Sequence, residues 1–83
     1  MDYELTPHAK DMLQERGIEL KWLEGVFNNP LSAHHDLKDG SLEHRLGLVH
    51  ESAGRVLRVV VNVQVDPPRI ITAYFDRTMK GKL

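Results

Sequence analysis

Apolar residues recur every three or four positions through the first third of this chain and every second position through its second half, which predicts helices followed by strands. Ala9, Met12, Leu13 and Arg16 share one stripe of a helix running from about Pro7 to Arg16. Thr6 suits its N-cap, Pro7 its first position, and Gly17 its left-handed stop. A second helix, roughly Glu19 to Asn28, carries Ile18, Trp22, Leu23, Val26 and Phe27 on one side and ends at Asn28-Asn29-Pro30.

From Leu42 to His50 the period changes to two, with Leu42, Leu46 and Leu48 alternating against Glu43, Arg45 and Gly47. Arg55 to Val65 is dense in valine, which fits a pleated surface, and Glu51-Ser52-Ala53-Gly54 reads as the hairpin turn between these strands. Asp66-Pro67-Pro68 breaks the chain before a third strand, Arg69 to Asp76, giving an antiparallel meander. Asp2 to Leu5 is a short strand or an extended lead-in, Leu31 to His35 a weaker fourth strand, and Ser32 to Ser41 the loosest segment.

Parity sorts the faces. Leu57, Val59, Val61 and Val63, with Ile71, Ala73 and Phe75, form the apolar face that receives the helices. The opposite face presents Arg58, Val60 and Asn62 beside Thr72 and Tyr74, with Arg45 joining them if its leucine neighbours point to the helices. This assignment assumes no β-bulge, since one extra residue would reassign the faces. The expected class is α+β, with two N-terminal helices packed on one face of a three- to four-stranded antiparallel sheet.

With 83 residues there is room for one domain and one core, of which residues 78–83 read as a flexible tail. No apolar run approaches the roughly 20 residues of a membrane span, and the start lacks the features of an export signal, so the expectation is a cytoplasmic protein with no membrane partner. The absence of cysteine excludes disulfides, Cys-ligated zinc and a thiol nucleophile. A formal net charge of −1 argues against indiscriminate nucleic-acid binding while allowing a local basic patch.

Five histidines invite a metal reading, above all His34-His35-Asp36 with His44 and His50. Adjacent histidines on a strand face opposite ways, so no ligand geometry is enforced, and no metal or cofactor is expected. His8 sits at a positive helix end, where neutral imidazole is favoured and can act as a general base; its plainer role is to hydrogen-bond a neighbouring strand. Arg16 lies close to the buried stripe, where an ion pair with Asp76 or Glu43 would explain it. Arg58, inside a valine-rich strand, needs a partner or an open groove.

Arg45, Arg58, Asn62 and Tyr74 on one face would offer phosphate-holding forks, amide donors and a ring for base stacking. RNA cleavage there would need a base for a 2′-hydroxyl, a cation for the phosphate and an acid for the departing oxygen, with His8 or Tyr74 exchanging protons. Arg77 and Lys80 in the basic tail would extend the footprint. The competing explanation is a solvated face or one covered by another chain.

Leu5-Thr6-Pro7-His8-Ala9, Met12, Arg16-Gly17-Ile18, Asn29-Pro30, Leu57-Arg58-Val59-Val60-Val61 and Ile70-Ile71-Thr72-Ala73-Tyr74, in this order, resemble the domain of unknown function 4258 family over nearly the whole chain. That family looks related to the BrnT and RelE-like bacterial toxins, which pair N-terminal helices with an antiparallel sheet and, where active, cut RNA without a metal. The resemblance implies a metal-independent endoribonuclease or RNA-binding domain. His8, Arg58 and Tyr74 are its implied catalytic residues, and Arg16, Arg45, Asn62, Arg77 and Lys80 are its substrate-binding ones. RNA, an antitoxin protein and a second copy of the chain are the implied partners. Glu19 stands where the family often has a small hydroxyl residue, which weakens only the expected cap on the second helix. The second reading is a non-catalytic interaction module on the same scaffold, consistent with the slightly acidic balance.

Overall fold

In a computed structural model, which describes residues 2–83, the order is β1 (Glu4–Leu5), α1 (Pro7–Glu15), α2 (Leu20–Asn28), β2 (Ser32–His35), β3 (Leu42–Val49), β4 (Arg55–Asn62) and β5 (Arg69–Phe75). Short 3-10 turns follow β3 at His50–Ser52 and β5 at Arg77–Met79. Thr6 caps α1 as its sequence predicts, its hydroxyl accepting from the Ala9 amide at 3.0 Å. Gly17 takes φ +62° just past the end of α1. Glu19 precedes α2 without making a side-chain cap.

The sheet has five strands in the order β1-β5-β4-β3-β2, and it is mixed. This corrects the expectation of three or four antiparallel strands. The lead-in pairs Glu4 with Arg69 and Leu5 with Ile70 in parallel, while the weak strand after Pro30 pairs antiparallel with β3. The other strands form the expected meander. No helix among the described residues is long and apolar enough to cross a membrane.

α1 and α2 both lie on one face, where Ala9, Leu23, Leu57, Val59, Val61, Ile70 and Ala73 are fully buried. Two expected face assignments are corrected. Val60 pairs with Thr72 but Val61 pairs with Ile70, so β5 carries Ile71 as a bulge residue. Ile70 therefore enters the core in place of Ile71, whose carbonyl accepts from the Thr6 hydroxyl at 3.1 Å.

On β3 the leucines point away from the helices rather than toward them. Arg45 pairs with Val59 and Leu46 with Arg58, so Arg45 and Gly47 face α2. The cause is the close approach of α2: a Cβ on Gly47 would lie 2.9 Å from Val26 Cγ2. Large apolar side chains are diverted to the other face, where Leu46, Val56 and Val60 are nonetheless buried.

Tyr3 anchors the segment before β1. Its ring packs on Phe27 at 5.1 Å and its hydroxyl donates to Glu24 Oε1 at 2.6 Å. Burial, reinforced by that carboxylate, pushes its pKa up to about 12. Because the folded value lies above the ordinary 10.0, this contribution is complete below pH 10 and is lost as pH rises toward 12. The expected result is an alkaline loss of about 2 to 3 kcal/mol, much reduced in Tyr3→Phe and measurable by urea denaturation between pH 9 and about pH 11.5.

Candidate functional site: a hydrogen-bonded carboxylate–imidazole–guanidinium chain

On the sheet face turned away from the helices, β3 and β4 place His44 and Arg58 beside each other. Arg58 Nη1 lies 2.9 Å from His44 Nδ1, and His44 Nε2 lies 2.8 Å from Asp36 Oδ1. A guanidinium can only donate, so Nδ1 accepts and the ring proton sits on Nε2, donated to Asp36. On its other side Arg58 grips Asp76 Oδ2, through Nε at 2.9 Å and Nη2 at 2.7 Å. Asp76 Oδ1 in turn accepts from the Thr78 amide and hydroxyl.

Each end of the chain is fixed by backbone. Asp36 Oδ2 accepts the amides of Lys38 and Asp39, an Asx turn that holds the β2–β3 connection. Bonding to His44, reinforced by those amides, keeps the Asp36 carboxyl below its ordinary range. Asp76 is likewise held low, chiefly by the Thr78 hydroxyl and also by Arg58. Arg58 and Asp76 side chains are only 13% and 10% exposed, so the pair lies largely out of solvent.

A hollow of about 290 Å³ opens over this chain, lined by His34, Asp36, Lys38, His44 and Arg58 among others. His34 and His44 stack at 5.4 Å with their planes 7° apart. Both ring nitrogens of His44 are engaged, which leaves it no lone pair for a metal.

The expected site residues separate into groups. Tyr74 is the cross-strand partner of Arg58. Arg16, beyond the end of α1, donates to the Ala73 carbonyl at 3.0 Å and lies 5.8 Å from the Tyr74 ring centre. It pairs with neither Asp76 nor Glu43. Arg77 shares a second hollow with Arg16 and Tyr74, and Lys80 lines an adjoining one.

Three expected residues lie elsewhere. Arg45 does not join the Arg58 face: it donates to the Phe27 carbonyl at 2.8 Å, pairs with Glu43 and covers the Phe27 ring, tying the end of α2 to the sheet. Asn62 lies about 13 Å along β4 from Arg58, where it caps the Gln64 amide. His8 is exposed in the first turn of α1 and lines none of these hollows; the bond to the neighbouring strand is made by Thr6.

The model of the domain of unknown function DUF4258 matches residues 5–75, a span that runs from the last residue of β1 through both helices to the end of β5. The chain belongs to the DUF4258 family. No curated protein and no solved structure matches it. Within this DUF4258 domain, His44, Asp36 and Asp76 are the site residues that sequence reasoning missed. The available signal was parity: His44 alternates with Leu42 and Leu46, so once the leucines turn from the helices it must share a face with Arg58.

Proposed function

We propose that this DUF4258 domain is a toxin-like, metal-independent endoribonuclease related to the BrnT and RelE-like toxins, with its reaction centre at His44 and Arg58. The observation that carries this reading is the Asp36–His44–Arg58–Asp76 chain beneath an open hollow. It supplies an imidazole of defined tautomer and a guanidinium held by a carboxylate, the base and cation that phosphate transesterification requires.

In the resting arrangement the Nδ1 lone pair is occupied by Arg58. An RNA phosphate competing for Nη1 releases Nδ1, which then takes the 2′-hydroxyl proton while the 2′-oxygen attacks phosphorus. Asp36 stabilises the imidazolium that forms, and Arg58 neutralises the crowded phosphate. The bond to the 5′-oxygen breaks, and that oxygen is protonated by way of the His34 ring, which lines the same hollow. The products are a 2′,3′-cyclic phosphate and a free 5′-hydroxyl. An antitoxin covering this face would silence it.

The expected result is RNA cleavage by purified protein in EDTA, reduced at least about 100-fold in His44→Ala. His8→Ala beside it tells whether the helix start takes part. Wild-type cleavage rates in a folded His44→Ala protein would remove the reading. No cleavage by the wild type would favour a non-catalytic interaction module. The exposed leucines Leu31 and Leu37, which flank the free edge of β2, support that alternative.

A further inference from the structure

Where β4 begins and β5 ends, cations outnumber acids. Arg16, Arg55 and Arg77 surround a hollow of about 420 Å³ with Tyr74 and Phe75. Arg55, Phe75 and Arg77 continue into a second hollow of about 240 Å³ that Lys80 also lines. Among the described residues, none of these four cations contacts a carboxylate. The one acid present, Asp76, is committed to Arg58 and Thr78. In a chain with twelve acidic residues and a net charge of −1, such a patch is a local departure from the average.

The arginines are also held in shape. Arg55 lies 3.7 Å above the Phe75 ring centre and bonds Ser52 Oγ through Nε and Nη2. Phe75 is backed by the edge of Trp22 at 6.3 Å. Arg16 is fixed by the Ala73 carbonyl beside the Tyr74 ring. A guanidinium stacked on an aromatic ring keeps its other plane open, and an unpaired base can stack there while the remaining N–H groups hold phosphate.

We propose that the two hollows form a subsite for single-stranded RNA, in which Arg16, Arg55, Arg77 and Lys80 bind phosphates flanking the reacting one and the Arg55–Phe75 stack carries a base. The proposal rests on the reading of this domain as an RNA enzyme. Two joined hollows with cations spread along them suit a strand rather than a single phosphate, and stacking requires unpaired bases. Tyr74 borders the subsite and is the cross-strand partner of Arg58, so a bound strand passes the end of β5 from the Arg55–Phe75 stack on the helix side toward the Arg58 face.

The test is fluorescence anisotropy with a labelled oligoribonucleotide that is 2′-O-methylated throughout, which lacks the attacking hydroxyl and reports binding alone. Arg55→Ala and Arg77→Ala, both at exposed positions, are each expected to weaken binding about tenfold and to lower the salt slope by about 0.7. Arg69→Ala removes the same charge at the opposite end of β5 and is expected to bind as wild type. Wild-type affinity in both cluster variants, no binding by the wild type at low salt, or tighter arginine-dependent binding of poly-glutamate would overturn the subsite. Arginine-dependent binding without cleavage of unmodified RNA would uphold it and remove the nuclease reading. Cleavage unaffected by loss of Arg55 and Arg77 would do the reverse.

Discussion

Replacing Arg58 by alanine is expected to lower the stability of the domain by about 3 kcal/mol, the low end of what breaking a buried ion pair costs. The side chain serves two partners at once. Its loss leaves the Asp76 carboxylate, 10% exposed, with only its Thr78 bonds, and leaves His44 Nδ1 without a donor. Arg58→Lys keeps the charge but cannot reproduce the fork that reaches Asp76 and His44 together, so it should recover only part of the loss. For a domain of this size the alanine variant should melt roughly 15 °C lower. Urea denaturation at pH 7 checks the value, and a loss below about 0.5 kcal/mol would mean that the chain of bonds carries no weight in the fold.

Acid gives an independent check. Asp76 and Asp36 both have depressed folded-state pKa values, so their contributions are present above the ordinary 3.8 and disappear as pH falls through the folded values. The wild type should therefore lose stability steeply below about pH 4. In Arg58→Ala the acid dependence should shrink without vanishing, because the largest influence on Asp76 is the Thr78 hydroxyl rather than Arg58.

The second large effect is expected at Gly47. Alanine there puts its Cβ within 2.9 Å of Val26 Cγ2, a contact that real structures do not sustain. Val26 is 4% exposed and β-branched, so it has little freedom to turn aside. A cost of about 2 kcal/mol is expected for Gly47→Ala, and more for Gly47→Val, because one of the two layers must move. In a Val26→Ala background the same Gly47→Ala change should cost almost nothing. Equal costs in both backgrounds, measured as a double-mutant cycle, would show that the packing of α2 on β3 is not the cause.

Much of the architecture was legible because it is written in local pattern. Thr6-Pro7 and Gly17 mark the ends of α1, and the valines of β4 mark a strand whatever surrounds them. β1 was harder, because two residues cannot carry an alternation and its partner lies 65 positions away. The extra residue at Ile71 leaves no compositional trace, yet it exchanges two isoleucines between core and edge. Arg45 was placed on the wrong face because its leucine neighbours suggested a core that the closeness of α2 does not admit.

The site was less legible for a related reason. Asp36, His44, Arg58 and Asp76 come from a loop, two strands and a strand end. Each alone looks like an ordinary polar residue, and only the pairing of β3 with β4 brings His44 to Arg58. Arg58 could be suspected because a charge in a valine run needs a partner, but nothing in its neighbourhood named the two partners it has.

The parallel pairing of β1 with β5 also governs how this fold can arise during synthesis. The first helices to emerge carry apolar faces whose receiving surface is completed by Ile70 and Ala73, and the amide of Thr6 bonds to Ile70 itself. The nascent chain must therefore hold α1, which packs chiefly on β5, undocked until that strand emerges, even though α2 packs on the earlier strands β3 and β4. In a ribosome-bound chain of increasing length, α1 should gain protection from proteolysis abruptly, as β5 clears the exit tunnel.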